Sequence, residues 1–279
     1  MKLRSISGSY NAGGDMAGTD WNPWRRLLAL PNTSRTKTIV VAFLVSAICA
    51  VLVSGATVLL RPIQTANRAA EEQARIADLV QGIPGISALL EQAGGTLSTV
   101  VIDLERGRAA AGISTETLET TLSDQANWTA LEAGSDLAGL GYRPNYAQVF
   151  LLRDSDTILL VLLPVTGQGY GGRIDAIVAV HGDMNTIAGI AITQHSETPG
   201  LGARIEDRSW QGSFPGTLIR DPGGQIRFNV ARSTASTDYE VDGITGATRT
   251  GIGITNMMRF WLGPDGYGPL IEAIQRGQF

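Results

Sequence analysis

Cysteine and histidine are almost missing from this chain of 279 residues. The lone cysteine, Cys49, has no partner for an internal disulfide and cannot build a thiolate cluster. One cysteine and two histidines fall short of the four nitrogen and sulfur ligands that close a structural zinc site. Cationic excess is missing too. The 22 basic and 26 acidic side chains give a net charge of −4, which offers no electrostatic footprint for nucleic acid. The 34 glycines follow no triplet period, so a collagen-like chain is excluded. A hydrophobic content of 43% argues against a disordered polypeptide. The length suits one large domain or two modest ones.

What charge there is lies unevenly. Residues 1–60 hold six basic side chains against Asp15 and Asp20, a net of +4, whereas residues 61–279 hold only arginines as bases and carry a net of −8. Between them, Ile39 to Leu60 is a run of 22 residues without a charge. At 1.5 Å per residue such a helix is ~33 Å long, enough to cross a hydrocarbon core. A cleaved signal peptide fits worse, because the run is too long and 38 residues precede it. Arg25, Arg26, Arg35 and Lys37 flank it on one side and Arg61, Arg68 and Arg75 on the other. With the rest of the N-terminal arm this bias predicts a cytoplasmic N-terminus and an exported domain. The organisation expected is a cytoplasmic arm over residues 1–38, a membrane helix over 39–60 and an extracytoplasmic domain over 61–279. The arm is rich in Gly, Ser, Asn and Thr and lacks periodicity, and its Trp21 and Trp24 suit either the membrane interface or plain exposure.

Apolar residues at helical spacing (Ile63, Ala66, Ala70, Ala74, Ala77) predict a helix after the anchor, stopped at Gly82 and Pro84. Short aliphatic runs bounded by Gly, Pro, Asp or Asn predict strands at Leu97–Leu104, Ala147–Leu152, Thr157–Leu163, Ile174–Val180, Thr186–Thr193 and Gln225–Val230. Asp183-Met184-Asn185 reads as a hairpin turn. An apolar face from Ile252 to Leu262 predicts a helix ended by Gly263-Pro264, and Leu270–Ile274 a short last one. The class expected is α+β, a mostly antiparallel sheet with flanking helices. Apart from the strand at Leu97–Leu104, the fold of residues 85–145 stays open.

Several motifs compete for a functional reading. GQGYGG at 167–172 matches the dinucleotide fingerprint literally, but the segment after it, RIDAIVAV, is strand-like rather than helical, so a hairpin is expected. His195-Ser196 lacks a nucleophile elbow, and adjacent residues on a strand face opposite ways. His181, His195 and Glu197 have no metal-ligand spacing. Two segments stand out instead. HSETPGLGAR, residues 195–204, places glycines, a proline and a threonine after a strand, where backbone can lie against a planar ligand. DGITGATRTG, residues 242–251, places Thr248 at the mouth of the last long helix, where unpaired N–H groups favour a phosphate; an ordinary threonine cap is the competing reading.

These two segments, with FWLGPDGYGPL at 260–270, resemble the FMN-binding domain of the NqrC family, the C subunit of the sodium-translocating NADH:quinone reductase. The G subunit of the Rnf complex shares that domain. In those families an Asp-x-x-[Ser/Thr]-Gly-Ala-Thr motif carries FMN through a phosphodiester on its last threonine. Asp242, Thr245, Gly246, Ala247 and Thr248 match it, so the resemblance implies covalent FMN on Thr248. It also implies a flavin-side loop made by Glu197, Thr198, Pro199, Gly200, Leu201 and Gly202, with Thr198, Leu201 and Gly202 against the flavin and Glu197 orienting the loop. Ser54-Gly55-Ala56-Thr57 repeats the last four motif letters inside the apolar run, but Val51 stands where the acid belongs. The chain departs from the family at Tyr170-Gly171-Gly172, where many members have Gly-Leu-Trp after the equivalent of Gly169.

The resemblance covers the anchor and nearly all of residues 150–270, with an FMN-binding core at about 150–265. It implies a single-pass protein of the bacterial inner membrane with a periplasmic domain. Electrons would pass from an iron–sulfur centre through this FMN toward the FMN of the B subunit and ubiquinone. The partners implied are the other subunits of the reductase, designated A, B, D, E and F, and a flavin transferase. The resemblance implies no nucleic acid, no metal and no catalytic acid or base in this chain. Arg249, next to the attachment site, suits either a partial offset of the phosphate charge or a plain solvated arginine. The Rnf complex's G subunit and a non-redox membrane anchor or assembly module are the alternatives.

Overall fold

A computed structural model describes residues 31, 34–55 and 97–279. The first stretch belongs to one compact unit and residues 97–279 to another. The helix expected from the spacing of Ile63 to Ala77 and most of the N-terminal arm lie outside the described residues.

Helix α1 (Arg35–Gly55) is long and apolar enough to cross a membrane, by length and composition. Its large side chains, among them Ile39, Phe43, Ile48 and Val51, are exposed. That arrangement is costly in water and suits lipid. The helix starts four residues before the uncharged run, with Arg35 and Lys37 in its first turn.

The second unit opens with β1 (Leu97–Asp103) and the short β2 (Arg108–Ala109). Helix α2 (Thr115–Leu122) follows, begun by a capping box in which the Ser114 side chain and Thr117 side chain each accept the other's backbone N–H. Then come β3 (Trp128–Ala130), β4 (Tyr142–Pro144), β5 (Tyr146–Asp154), β6 (Thr157–Gln168), β7 (Arg173–His181) and β8 (Ile187–His195). A one-turn helix α3 (Arg208–Gln211), the two-residue strands β9 (Asn229–Val230) and β10 (Glu240–Val241), α4 (Thr248–Trp261) and α5 (Gly268–Gln275) complete the chain. Six strands form one sheet in the order β2-β1-β5-β6-β7-β8, with every neighbouring pair antiparallel. This is the α+β class expected from the sequence.

The strands read as unbroken apolar runs because both faces of the sheet are buried. Val149, Leu151, Val161, Leu163, Val178 and Val180 face the main core with α4 and α5. Their neighbours in sequence Phe150, Leu152, Leu160, Leu162 and Ile177 form a second cluster on the opposite face. The β7–β8 turn is the expected Asp183-Met184-Asn185. Met184 adopts a positive φ of 57° and is fully buried, while the Asp183 carboxylate accepts the N–H groups of Asn185 and Thr186, each at 2.9 Å.

Helix α4 is locked to the far end of β6. Beyond Leu162 that strand pairs only with β7, so one row of its carbonyls is open. The indole N–H of Trp261 donates to the Thr166 carbonyl and the Tyr267 hydroxyl to that of Pro164, both at 2.6 Å. Burial pushes the Tyr267 hydroxyl pKa upward, so it stays a donor. Glycines allow the close approach: a Cβ on Gly253 would lie 2.7 Å from the Gln168 carbonyl oxygen, and one on Gly167 2.7 Å from Met257 Cβ.

One expected strand differs. Of Gln225–Val230 only Asn229–Val230 is a strand, and it pairs in parallel with β10 outside the main sheet. The N–H groups of Arg227 and Phe228 both go to the Ile219 carbonyl, and the Asp221 carboxylate accepts that of Gln225. The alternating apolar residues there fill the core from a loop. The strand expected at Leu97–Leu104 is β1, and residues 105–145, for which the sequence predicts no element, supply β2 to β4 and α2.

Candidate functional site

The β6–β7 turn closes with the Gly169 N–H on the Gly172 carbonyl at 2.7 Å. GQGYGG is therefore the end of β6 and a turn that leads into β7, without the helix a dinucleotide phosphate needs. Beside this turn, β8 ends at His195 and runs into the loop 196–202. The loop folds back on itself, with the N–H groups of Leu201 and Ala203 both donating to the Thr198 carbonyl at 3.1 Å. Gly200 supplies the positive φ of 76° that the turn requires.

Glu197 holds the loop in place. It is only 5% exposed. Its Oε1 accepts the Gly171 N–H at 3.0 Å and its Oε2 accepts the Thr250 hydroxyl at 2.8 Å. Its own N–H donates to His195 Nδ1 at 3.0 Å. That bond makes His195 Nδ1 an acceptor and leaves Nε2 to donate to Glu206 Oε1, 2.9 Å away. Both ring nitrogens are thus engaged, and His195 has none left to activate Ser196. His181 lies seven residues from the β7 position that pairs with His195, roughly 23 Å along the strand at 3.3 Å per residue. The described residues contain no His, Cys, Asp and Glu group able to hold a metal.

The third part of the site is the start of α4. Its N-cap is Ala247, which has no side chain able to cap it. Thr248 is the first helical residue and is exposed, so its hydroxyl is not acting as an ordinary N-cap. The first-turn N–H groups and the helix dipole favour an anion there. Arg249 adds positive charge, with its guanidinium carbon 5.3 Å from the centre of the exposed Tyr170 ring.

Turn, loop and helix start enclose a cleft of about 320 Å³. Of the residues singled out from sequence, Glu197, Thr198, Leu201, Gly202, Gly246, Ala247 and Thr248 line it. Gly200, Asp242 and Thr245 are not among its lining residues. The Asp242 carboxylate instead accepts the Ala235 N–H at 2.8 Å, and its carbonyl accepts the indole N–H of Trp210 at 2.8 Å. It braces the chain entering the Thr-Gly-Ala-Thr segment. Thr245 is exposed on that segment. Tyr170, Arg249 and Thr250 complete the lining. Thr250 is a residue that sequence reasoning does not single out. Its only signal is that of a third threonine on the inward side of the first helical turn.

The family model described as FMN-binding domain matches residues 169–263. That stretch runs from the β6–β7 turn to the glycine that ends α4, and it contains every part of the cleft. Among curated proteins, the C subunit of the Na(+)-translocating NADH-quinone reductase from Pseudomonas aeruginosa is 32% identical over 88% of this chain and 98% of its own length. The protein of the same name from Vibrio anguillarum is 34% identical over 90% of this chain and 99% of its own. The chain belongs to the NqrC family, the C subunits of Na(+)-translocating NADH-quinone reductases. The crystal structure of Shewanella oneidensis NqrC superposes with a TM-score of 0.60 at 25% identity, over 68% of this chain and 88% of that one. The one membrane-length apolar helix among the described residues, α1, fits a single-pass membrane protein of this family.

The residues of this NqrC relative fit an FMN. The helix start offers free donors and a cation to a phosphate. Gly246, at a φ of 80°, leaves the backbone open beside Leu201. Leu201 is about half exposed and Tyr170 more so, which leaves apolar surface at the cleft for a planar ring.

Proposed function

We propose that this chain is the electron-carrying subunit of a sodium-translocating NADH:quinone reductase, with FMN joined through its phosphate to the Thr248 hydroxyl. The observation that supports it best is the meeting of loop 197–202 with an exposed threonine at a helix start that no side chain caps. When bound, FMN supplies electron transfer, and the place proposed for it is between an iron–sulfur centre of the membrane subunits and the FMN of the B subunit on the way to ubiquinone.

The chain's own residues hold and shield. The α4 N-terminus and Arg249 balance the phosphodiester charge. Thr198, Leu201 and Gly202 form one wall for the ring system, and Tyr170 stands at its edge. Gly200, Asp242 and Thr245 set the course of the two loops. No side chain here needs to act as an acid or base, because the redox chemistry belongs to the cofactor. Attachment is a transfer from a flavin phosphoanhydride. The Thr248 Oγ–P bond forms, the anhydride P–O bond breaks, a nucleoside monophosphate leaves, and the hydroxyl proton passes to solvent.

The organisation proposed with it is a cytoplasmic arm over 1–38, a single inner-membrane span over 39–60 and a periplasmic domain over 61–279, with the FMN-binding core at about 150–265. The partners proposed are the reductase's other subunits, A, B, D, E and F, and a flavin transferase. The names of the relatives support this reading over the G subunit of the Rnf complex.

The test is a denaturing gel of chain made with its transferase. We expect a flavin-fluorescent band that survives boiling in detergent, disappears in Thr248→Ala and persists in Thr57→Ala. A colourless wild-type chain would instead favour a non-redox anchor.

A further inference from the structure

We propose that Glu197 and Thr250 form a clip that turns the first coil of α4 so that the Thr248 hydroxyl faces the cleft, making both of them positioning residues for cofactor attachment. The inference rests on the proposed attachment at Thr248 and goes beyond it by saying what presents that hydroxyl.

The Glu197 carboxylate is buried and each oxygen is taken by a donor from a different element: the β6–β7 turn through the Gly171 N–H, and α4 through the Thr250 hydroxyl. It has no room to move. A Cβ on Gly169 would overlap Oε1, and one on Gly202 would overlap Oε2 and lie 2.7 Å from the Thr250 hydroxyl oxygen. A carboxylate held in this way repels a phosphate rather than binding it, so its effect on the cofactor must run through Thr250.

Thr250 stands two residues after Thr248. Successive side chains on an α-helix are ~100° apart, so these two point roughly 200° apart around the axis. Thr250 is 1% exposed and Thr248 is exposed, as that rotation requires. Holding Thr250 inward therefore fixes the rotation at which Thr248 is exposed while still lining the cleft. The first turn has no other side-chain restraint of the usual kind, because its N-cap is Ala247. A normal cap bonds the N2 or N3 backbone N–H. Here the third helical residue is held through its side chain, which leaves the backbone donors of the turn free for an anion.

The test uses the full chain and purified flavin transferase with its flavin phosphoanhydride donor, read as the rate of mass gain on the peptide that contains Thr248. Thermal melting of each unloaded variant is followed alongside. Thr250→Val and Glu197→Ala should load on the order of tenfold more slowly, the scale expected when a reacting group is displaced by a fraction of an ångström. Both should still melt cooperatively. Thr250→Ser, which keeps the hydroxyl, should load at close to the wild-type rate. Wild-type loading rates in Thr250→Val and Glu197→Ala would overturn the clip, as would slow loading in Thr250→Ser. Slowing that appears only in variants that have lost cooperative melting would also overturn it. If the wild type gains no mass at Thr248, the proposed function fails, a result distinct from any of these.

Discussion

Individual side chains in this protein are assigned to tasks that their chemistry alone does not reveal. Glu197, a buried acid in a cleft, looks like a catalytic group until its partners are counted. Both oxygens are occupied by donors from the fold. His195 has the same fate, its two nitrogens spent on Glu197 and Glu206. Asp183 shows the energetic side of such bonding. Burial raises its carboxyl pKa, but the Thr186 hydroxyl, two backbone N–H groups and nearby His181 outweigh burial and hold it below the ordinary carboxylate value. A folded pKa below the unfolded one gives stability that is present above the unfolded value of about 3.9 and is lost as pH falls through the folded one. Asp183→Asn should therefore melt lower than wild type at pH 7, with the gap closing toward pH 3 in thermal scans. An equal gap at both pH values would contradict this. The threonines divide by legibility. Thr248 stands out because Gly246 and Ala247 precede it at a helix start. Thr250 does not, because its role depends on a glutamate 53 residues away.

At the scale of elements, the hairpins of the sheet are legible because each strand is bounded by turn residues and buried on both faces. The same signal misleads at 225–230. Ile226, Phe228 and Val230 alternate as strand residues do, yet hydropathy reports burial, and here burial is reached from a loop whose N–H groups are already spent on Ile219 and Asp221. Residues 105–145, after the legible strand β1, are hard to read for the opposite reason. Strands β3 and β4 are three residues each and largely exposed, so no apolar run marks them. The seam between α4 and β6 yields a sharp prediction. Gly253→Ala forces a methyl group to 2.7 Å from the Gln168 carbonyl oxygen, a backbone atom that β6 holds in place. It should cost about 1–3 kcal/mol in denaturant unfolding. Gly134→Ala, where a Cβ meets nothing within 4 Å, should stay within about 0.5 kcal/mol of wild type. Equal stabilities for the two variants would show that α4 is not seated against β6 as described.

For the whole molecule, the uneven charge and the apolar helix α1 give a topological prediction. Cys49 lies in α1, so a cysteine introduced elsewhere reports its own side of the membrane. Thr234→Cys, at an exposed position of the domain, should react with a membrane-impermeant maleimide in intact spheroplasts. Ser9→Cys in the arm should react only after permeabilisation, and the reverse pattern would invert the proposed orientation. The function depends on one bond in this assembly. The measurement that tests it most directly is the mass of the full chain produced with its flavin transferase, followed by mapping of its peptides. An increase equal to FMN less one water, confined to the peptide holding Thr248, is the predicted result. An unmodified Thr248 peptide from chain matured in this way would contradict it.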